Sequence, residues 1–231
     1  MMRGKRIVEK PIYPSSNMRI TQGYNEGTHM DSYALDDAGI DSGISTLKAP
    51  FTGIIKKIYS ADANEVWLES IEEVEYPDGT IDYMTIMFAH SNNVDNLFVG
   101  KKISQGAPFY SEGTKGQATG NHCHIECGKG KFKGTGWHKN NAGYYSINNG
   151  KKPEECLWLD NTINVIDNHG YTFRTIPQEP PTTAAPTEPS TQPPITPLST
   201  VPKLIYTCQK DDLYGIYLKK GDKLYLEKKE V

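Results

Sequence analysis

The chain has 231 residues, 36% of them hydrophobic, and a formal net charge of −3. That length holds one domain of ordinary size plus something smaller. The even charge balance, with no long basic block, argues against a nucleic-acid partner, and no run of about 18 apolar residues marks a transmembrane helix. A count of 21 Gly, 15 Pro and 14 Tyr favours turns and strands over helices. The basic start, Met1 to Arg6, is followed by Ile7-Val-Glu-Lys-Pro11, which breaks any apolar run. No Sec signal peptide is therefore expected, and synthesis in the cytoplasm is. Cys123, Cys127, Cys156 and Cys208 show no Cys-x-x-Cys spacing and read as buried thiols of a reducing compartment.

In chain order, Arg19-Ile-Thr-Gln-Gly-Tyr24 predicts a short strand entering a glycine-rich turn, with His29 close behind. From Met30 to Asp36, Tyr33 and Leu35 alternate with Ala34 and Asp36, a strand pattern. Lys48 to Tyr59 reads as a turn and then a strand, with Gly53 allowing a bulge or a close approach. Glu65 to Ile71 is another strand. Tyr76-Pro-Asp-Gly-Thr80 is a turn, because Pro presets φ and Gly accepts φ > 0. It leads into Ile81 to His90, completing a hairpin that leaves His90 at a strand end. Asn92 to Val99 is loop or one helical turn, and Gly100 to Tyr110 holds a tight turn and a short strand. Glu112 to Gly120 has three glycines in nine residues, a loop that delivers the chain to Asn121-His-Cys-His-Ile-Glu126. After a glycine- and lysine-rich stretch, 129–143, short segments follow at Glu155 to Asp160, Thr162 to Ile166 and Tyr171 to Ile176.

Composition changes sharply beyond that point. Residues 177–202 carry nine of the fifteen prolines and no Gly, Lys, Arg or aromatic residue, the mark of an extended polyproline-like linker. Residues 203–231 read as a strand, turn, strand hairpin through Leu213 to Leu218 and Lys223 to Leu226. A segment that short needs a partner surface to be stable. It would serve as an attachment element or would pair with a second copy into a homo-oligomer. The expected organisation is a catalytic domain at 1–176, a linker at 177–202 and a small C-terminal element at 203–231.

The chemistry centres on His122 and His124. Side chains on a strand repeat every second residue, so both imidazoles and Glu126 share one face while Cys123, Ile125 and Cys127 share the other. His29 and Asp36 lie in the first third, and His90 in the middle. A catalytic zinc takes three protein ligands and keeps a fourth position open. A His, Asp, His set meets that need without thiolate. The metal then lowers the pKa of its water from about 15.7 toward about 7. Two further histidines can then act as general base and as hydrogen-bond donor to an oxyanion.

Gly100-Lys-Lys-Ile-Ser-Gln-Gly106 and Gly113-Thr-Lys-Gly-Gln-Ala-Thr-Gly-Asn-His-Cys-His-Ile-Glu126 resemble the C-terminal half of the lysostaphin-type zinc endopeptidases. So do Lys48-Ala-Pro-Phe-Thr-Gly-Ile-Ile55 and the strand ending in Ala89-His90. The resemblance spans about residues 15 to 165. It implies a mainly β fold, an antiparallel sheet with a substrate groove, Zn2+ as cofactor and peptidoglycan stems or cross-bridges as substrate. By motif, His29, Asp36 and His124 resemble the zinc ligands, and His90 and His122 the catalytic histidines, with His122 as base. Tyr24 falls where the family often places an aromatic residue that helps hold substrate.

One departure concerns the acidic ligand. The family's spacing is His, three residues, Asp, and Tyr33 occupies that position here, with Asp31, Asp36 and Asp37 nearby. Asp36 is favoured because Ser-Tyr-Ala-Leu-Asp resembles a longer variant of the motif. The His, six residues, Asp spacing also resembles D-alanyl-D-alanine metallopeptidases, but no Glu followed closely by Trp-His lies downstream. His138 and His169 read as surface or satisfied histidines, Asp31 and Asp37 as solvated, and Cys123 and Cys127 as core. The expected function is a zinc endopeptidase of bacterial cell wall, of phage or prophage lysin type, reaching the wall after release. The competing expectation is a degenerate wall-binding or structural module on the same fold.

Overall fold

The structure is a computed structural model that describes residues 8–40, 43–133, 137–139, 141, 143 and 145–177. The linker expected beyond Pro177 and the hairpin expected at 203–231 lie outside the described residues, as does Cys208.

A nine-stranded sheet organises the described chain. Its strands are β1 (Asn17–Gln22), β2 (Leu35–Asp37), β3 (Gly53–Tyr59), β4 (Glu65–Ser70), β5 (Met84–Ala89), β6 (Lys102–Ile103), β7 (Cys123–Lys129), β8 (Gly150–Lys151) and β9 (Asn164–Asp167). The spatial order is β9-β1-β2-β7-β5-β4-β3-β6, with β8 also pairing β7. Only the β1–β9 pair is parallel; the rest are antiparallel. The chain is therefore mainly β, as the sequence predicts.

The three central strands β4, β5 and β7 are covered on both faces, which sets their composition. On one face Val66, Leu68, Ile86, Phe88, Cys123, Ile125 and Cys127 pack into the main core with Leu47, Phe51 and Tyr110. Burying each large apolar side chain there contributes roughly 1.5–3 kcal/mol. On the other face Trp67, Met87 and Ala89 form a smaller cluster with Ala63, Ile147 and the half-buried Phe132. That cluster covers only part of its face, and the uncovered part is the floor of a groove.

Gly53 is a close approach, as expected: a Cβ there would stand 2.8 Å from Leu68 Cγ. The turn at 76–80 closes as expected, with Tyr76 N–H on the Thr80 carbonyl and Gly79 at φ 87°. One expectation is corrected, and one short segment takes a definite form. The strand read over Met30 to Asp36 forms only at Leu35–Asp37. Asp31 turns left-handed at φ 59°, and the Ser32 hydroxyl donates to the His29 carbonyl at 3.0 Å; short polar side chains of this kind compete with a strand ladder. The segment entering Glu155 to Asp160 is a one-turn helix at Pro153–Cys156 before a short strand at Trp158–Leu159. Pro153 at its first position presets the helical φ.

Candidate metal centre and active site

Strand register assembles the centre. Gln22 pairs Asp36 across β1 and β2, Asp36 pairs His124 across β2 and β7, and His124 pairs Ala89 across β7 and β5. Residues directly opposite on neighbouring strands share a face. The Asp36 carboxylate therefore sits beside the His124 ring. The same register resolves the choice among three aspartates. Asp37 pairs Cys123 and points into the opposite face, fully buried, where its Oδ1 accepts from the Tyr13 hydroxyl at 3.1 Å and from Arg19 N–H at 3.0 Å. The expectation that Asp37 is solvated is thereby corrected; burial pushes its carboxyl up to about 7 against those hydrogen bonds. Asp31 is exposed.

His29 ends a short 3-10 turn, Gly27–His29, and its Nε2 lies 3.3 Å from Asp36 Oδ1. His124 Nδ1 lies 3.1 Å from the same oxygen. The three ligand atoms all fall within 4.8 Å of one another. A tetrahedral zinc with N and O ligands at about 2.0–2.2 Å separates them by roughly 3.3–3.6 Å, so the set fits such an ion with small adjustment. The other nitrogen of each ring is held from outside. His29 Nδ1 donates to the Gly23 carbonyl at 3.0 Å, and His124 Nε2 to Glu126 Oε1 at 3.2 Å. With a metal bound, these acceptors would hold the tautomers that turn a lone pair of His29 Nε2 and of His124 Nδ1 toward it; without one, both nitrogens face Asp36 Oδ1. Glu126 is itself fully engaged, since its Oε2 accepts Ile147 N–H.

Without a metal this site is bridged by a proton. Burial would push the His124 imidazole down, but the hydrogen bonds and charges of Asp36 and Glu126 outweigh it and hold it up at about 10. Burial would likewise raise Asp36; the hydrogen bonds from His124 and His29 outweigh that and hold its carboxyl well below the usual range.

The remaining histidines flank the centre. The His90 and His122 rings are 4.6 Å apart, and His122 Nε2 is 3.6 Å from Asp36 Oδ2. His90 Nδ1 donates to the Lys115 carbonyl at 2.7 Å and His122 Nδ1 to the Gly120 carbonyl at 2.8 Å, so both present a bare Nε2. Burial, then the positive His124, push His90 down to about 4. His90 holds a left-handed φ of 83°, pinned by its N–H on the Ala63 carbonyl and its own carbonyl on Lys115 N–H. Backbone strain of this kind persists only where the surroundings over-determine it. Gly113 joins the two histidines: it exchanges backbone hydrogen bonds with His122, and a Cβ on it would stand 2.3 Å from the His90 carbonyl oxygen.

A cavity of about 190 Å³ opens beside the centre, lined by His29, His90, His124 and Glu126, and also by Asp62, Glu65 and Gln117. Strand phase placed Glu126 on the site face; Glu65 and Gln117 were missed, because nothing in the local pattern says which strand or loop will border His124. Tyr24 is not among the cavity's walls. Its ring stacks on Tyr171 at 4.5 Å and its hydroxyl donates to Glu154 at 2.8 Å. His138 is exposed, and His169 Nε2 pairs with Glu26 at 2.9 Å. Cys123, Cys127 and Cys156 are buried and unpaired.

No family model matches the chain. Morphogenesis protein 1 of Bacillus phage B103 is 26% identical over 194 residues, covering 75% of this chain and 46% of that protein. The chain thus spans about half the length of the curated relative it matches. Among solved structures, a zinc containing peptidase from Vibrio cholerae is 17% identical, with a TM-score of 0.39 over 52% of this chain and 36% of that one. The catalytic domain of the antimicrobial peptidase lysostaphin from Staphylococcus simulans is 20% identical, with a TM-score of 0.37 over 50% and 84%.

Proposed function

We propose that this chain is a zinc-dependent endopeptidase that hydrolyses peptide bonds of bacterial peptidoglycan, in the stem or the cross-bridge. The observation that carries the reading is the donor set: His29, Asp36 and His124 converge with both rings held from outside, and two more imidazoles stand beside them with bare Nε2 atoms. Zinc held there supplies Lewis-acid activation of a water and of an amide carbonyl at neutral pH. His122 Nε2 takes the proton of the attacking water and returns it to the leaving amine. His90, neutral and locked through Nδ1, accepts a hydrogen bond from that water at Nε2 and orients it for attack. Tyr24 lies outside the cavity walls, with its ring on Tyr171 and its hydroxyl on Glu154, and would meet only substrate that extends beyond the cavity.

The peptidoglycan substrate is supported by the run from Gly113 to Glu126, which resembles the lysostaphin type. A setting in phage biology is supported by the B103 relative, which is named a morphogenesis protein. In either setting the protein acts at the bacterial wall, with residues 203–231 as attachment or self-pairing element. The degenerate-module reading is disfavoured by an intact set of five polar groups. Mass spectrometry of purified peptidoglycan after digestion, with and without a zinc chelator, tests the proposal. New amines that the chelator abolishes are expected, and walls left intact while the protein sediments with them would overturn it.

A further inference from the structure

Glu65 is the group in the cavity that the chemistry above does not use. It opens strand β4. Continuing the Val66↔Phe88 ladder by one residue sets it opposite Ala89, which pairs His124 from the other side. Glu65, Ala89 and His124 thus form one row on one face, with Glu65 two strand spacings from His124, on the order of 10 Å. Glu65 is 7% exposed and lines the cavity, yet its buried Oε2 has no hydrogen-bond partner among the described residues. A buried carboxylate oxygen without a partner is costly. Glu126, the nearest comparison, has both oxygens engaged. Asp62, exposed at the cavity rim, adds a second negative charge. The Lys57 ammonium stands over the Tyr59 and Trp67 rings, at 5.9 and 6.0 Å from their centroids. Burial pushes Glu65 up to about 7 despite the opposing charge of Lys57, and Asp62 raises it further. The loop that carries this pair is fixed: Asn64 turns left-handed at φ 50°, its side chain donates to the Ser91 carbonyl, and its own carbonyl accepts the Tyr110 hydroxyl.

We infer that Glu65, with Asp62 at the rim, forms a subsite for a primary ammonium group of the substrate. The inference rests on the peptidase reading. A cation with several N–H donors, seated in the cavity that Glu65 lines, pairs with its carboxyl group and balances both acids. The separation from His124 suits an ammonium one to three residues from the bond cut, since an extended chain advances about 3.3 Å per residue. Two sources carry this group: the side-chain amine of a diamino acid and the α-amine of a free N-terminus.

The test uses the full zinc-loaded chain and four stem-type peptides, with the side-chain amine and the N-terminal amine each free or acetylated. A charge-assisted hydrogen bond predicts kcat/KM about tenfold to a hundredfold higher for the free amine at the recognised position. The arm that loses rate on acetylation names the source. In Glu65→Gln the ratio of free to acetylated substrate falls to near one, and in Asp62→Asn it falls in part. A ratio unchanged in both variants, or absent in the wild type, overturns the subsite. Where Glu65→Gln does not fold by far-UV circular dichroism, the exposed Asp62→Asn decides. Where no peptide is cut at all, the peptidase reading fails, and calorimetric binding of the same peptides judges the subsite alone. Amine-dependent binding lost in Glu65→Gln supports it; binding indifferent to acetylation, or none, overturns it.

Discussion

Metal binding should expel a proton from His124. In the metal-free protein Asp36 and Glu126 hold that imidazole up at about 10, and its Nδ1 faces Asp36 Oδ1 at 3.1 Å, the side on which a metal must bind. At pH 7 the ring is therefore charged, and an incoming ion competes with a proton about three pK units above ambient. That weakens apparent affinity by about a thousandfold, on the order of 4 kcal/mol. Below pH 10 the apparent Kd for zinc should tighten about tenfold per pH unit, with close to one proton released per ion bound. Calorimetric titration at one pH in two buffers of different ionisation enthalpy counts that proton directly. Glu126→Gln removes one of the two anions that hold the proton, so fewer protons should leave at pH 7 while the ring loses the acceptor that orients it. Affinity independent of pH, with no proton released, would show that Asp36 and Glu126 do not charge His124 and that the reasoning is wrong.

Three more outcomes are expected. His124→Ala should lose both stoichiometric zinc and hydrolysis, whereas His122→Ala should keep most zinc and lose hydrolysis; equal zinc loss in inductively coupled plasma analysis would refute the division of roles. Gly113→Ala should cut kcat by at least about tenfold with zinc retained, because its Cβ meets the His90 carbonyl at 2.3 Å and displaces the backbone that aims both flanking rings. In the metal-free chain, stability should fall at alkaline pH. The raised His124 contributes fully below about pH 6.5 and loses that contribution as pH rises through about 10. Urea midpoints should therefore decline from pH 8 to 10, and a midpoint that climbs over that range would contradict the assignment.

Much of the site was legible because strand phase is a local property. His122, His124 and Glu126 fall on one face, and Cys123, Ile125 and Cys127 on the other, from spacing alone. The choice between Asp36 and Asp37 was not legible from spacing, since adjacent residues on a strand differ only in which face they present. That depends on the pairing of β2 with β7, a contact across 88 residues. Glu65 was opaque for the same reason: its place beside the site follows from the β7-β5-β4 order, which no local pattern encodes. The carbonyls of Gly23, Lys115 and Gly120, which set three histidine tautomers, lie in loops whose paths depend on the assembled sheet. The false strand at 30–36 shows the converse. Alternation of Tyr33 and Leu35 with Ala34 and Asp36 was real, but Asp31 and Ser32 offered the backbone a turn that local spacing did not weigh.

The centre divides its parts between two kinds of support, and the division bears on the proposed metal binding and hydrolysis in different ways. Asp36 and His124 sit directly opposite each other on paired strands, so their separation is held by the ladder of β2, β7 and β5. His29, His90 and His122 sit on turns or at strand ends, each aimed by a single backbone carbonyl on Nδ1. The charged His124 ring, with one N–H on Asp36 and the other on Glu126, keeps Nδ1 and the Asp36 carboxylate close before any metal arrives. Metal entry then exchanges one positive charge for another without rearranging the strands, and little ordering entropy remains to be lost on binding. The turn-borne His90 and His122, to which the proposal gives the orienting of the water and the proton transfers, lie outside that locked pair. A change in loop position alters proton transfer first and metal affinity second, which is why Gly113→Ala and His124→Ala should separate so cleanly.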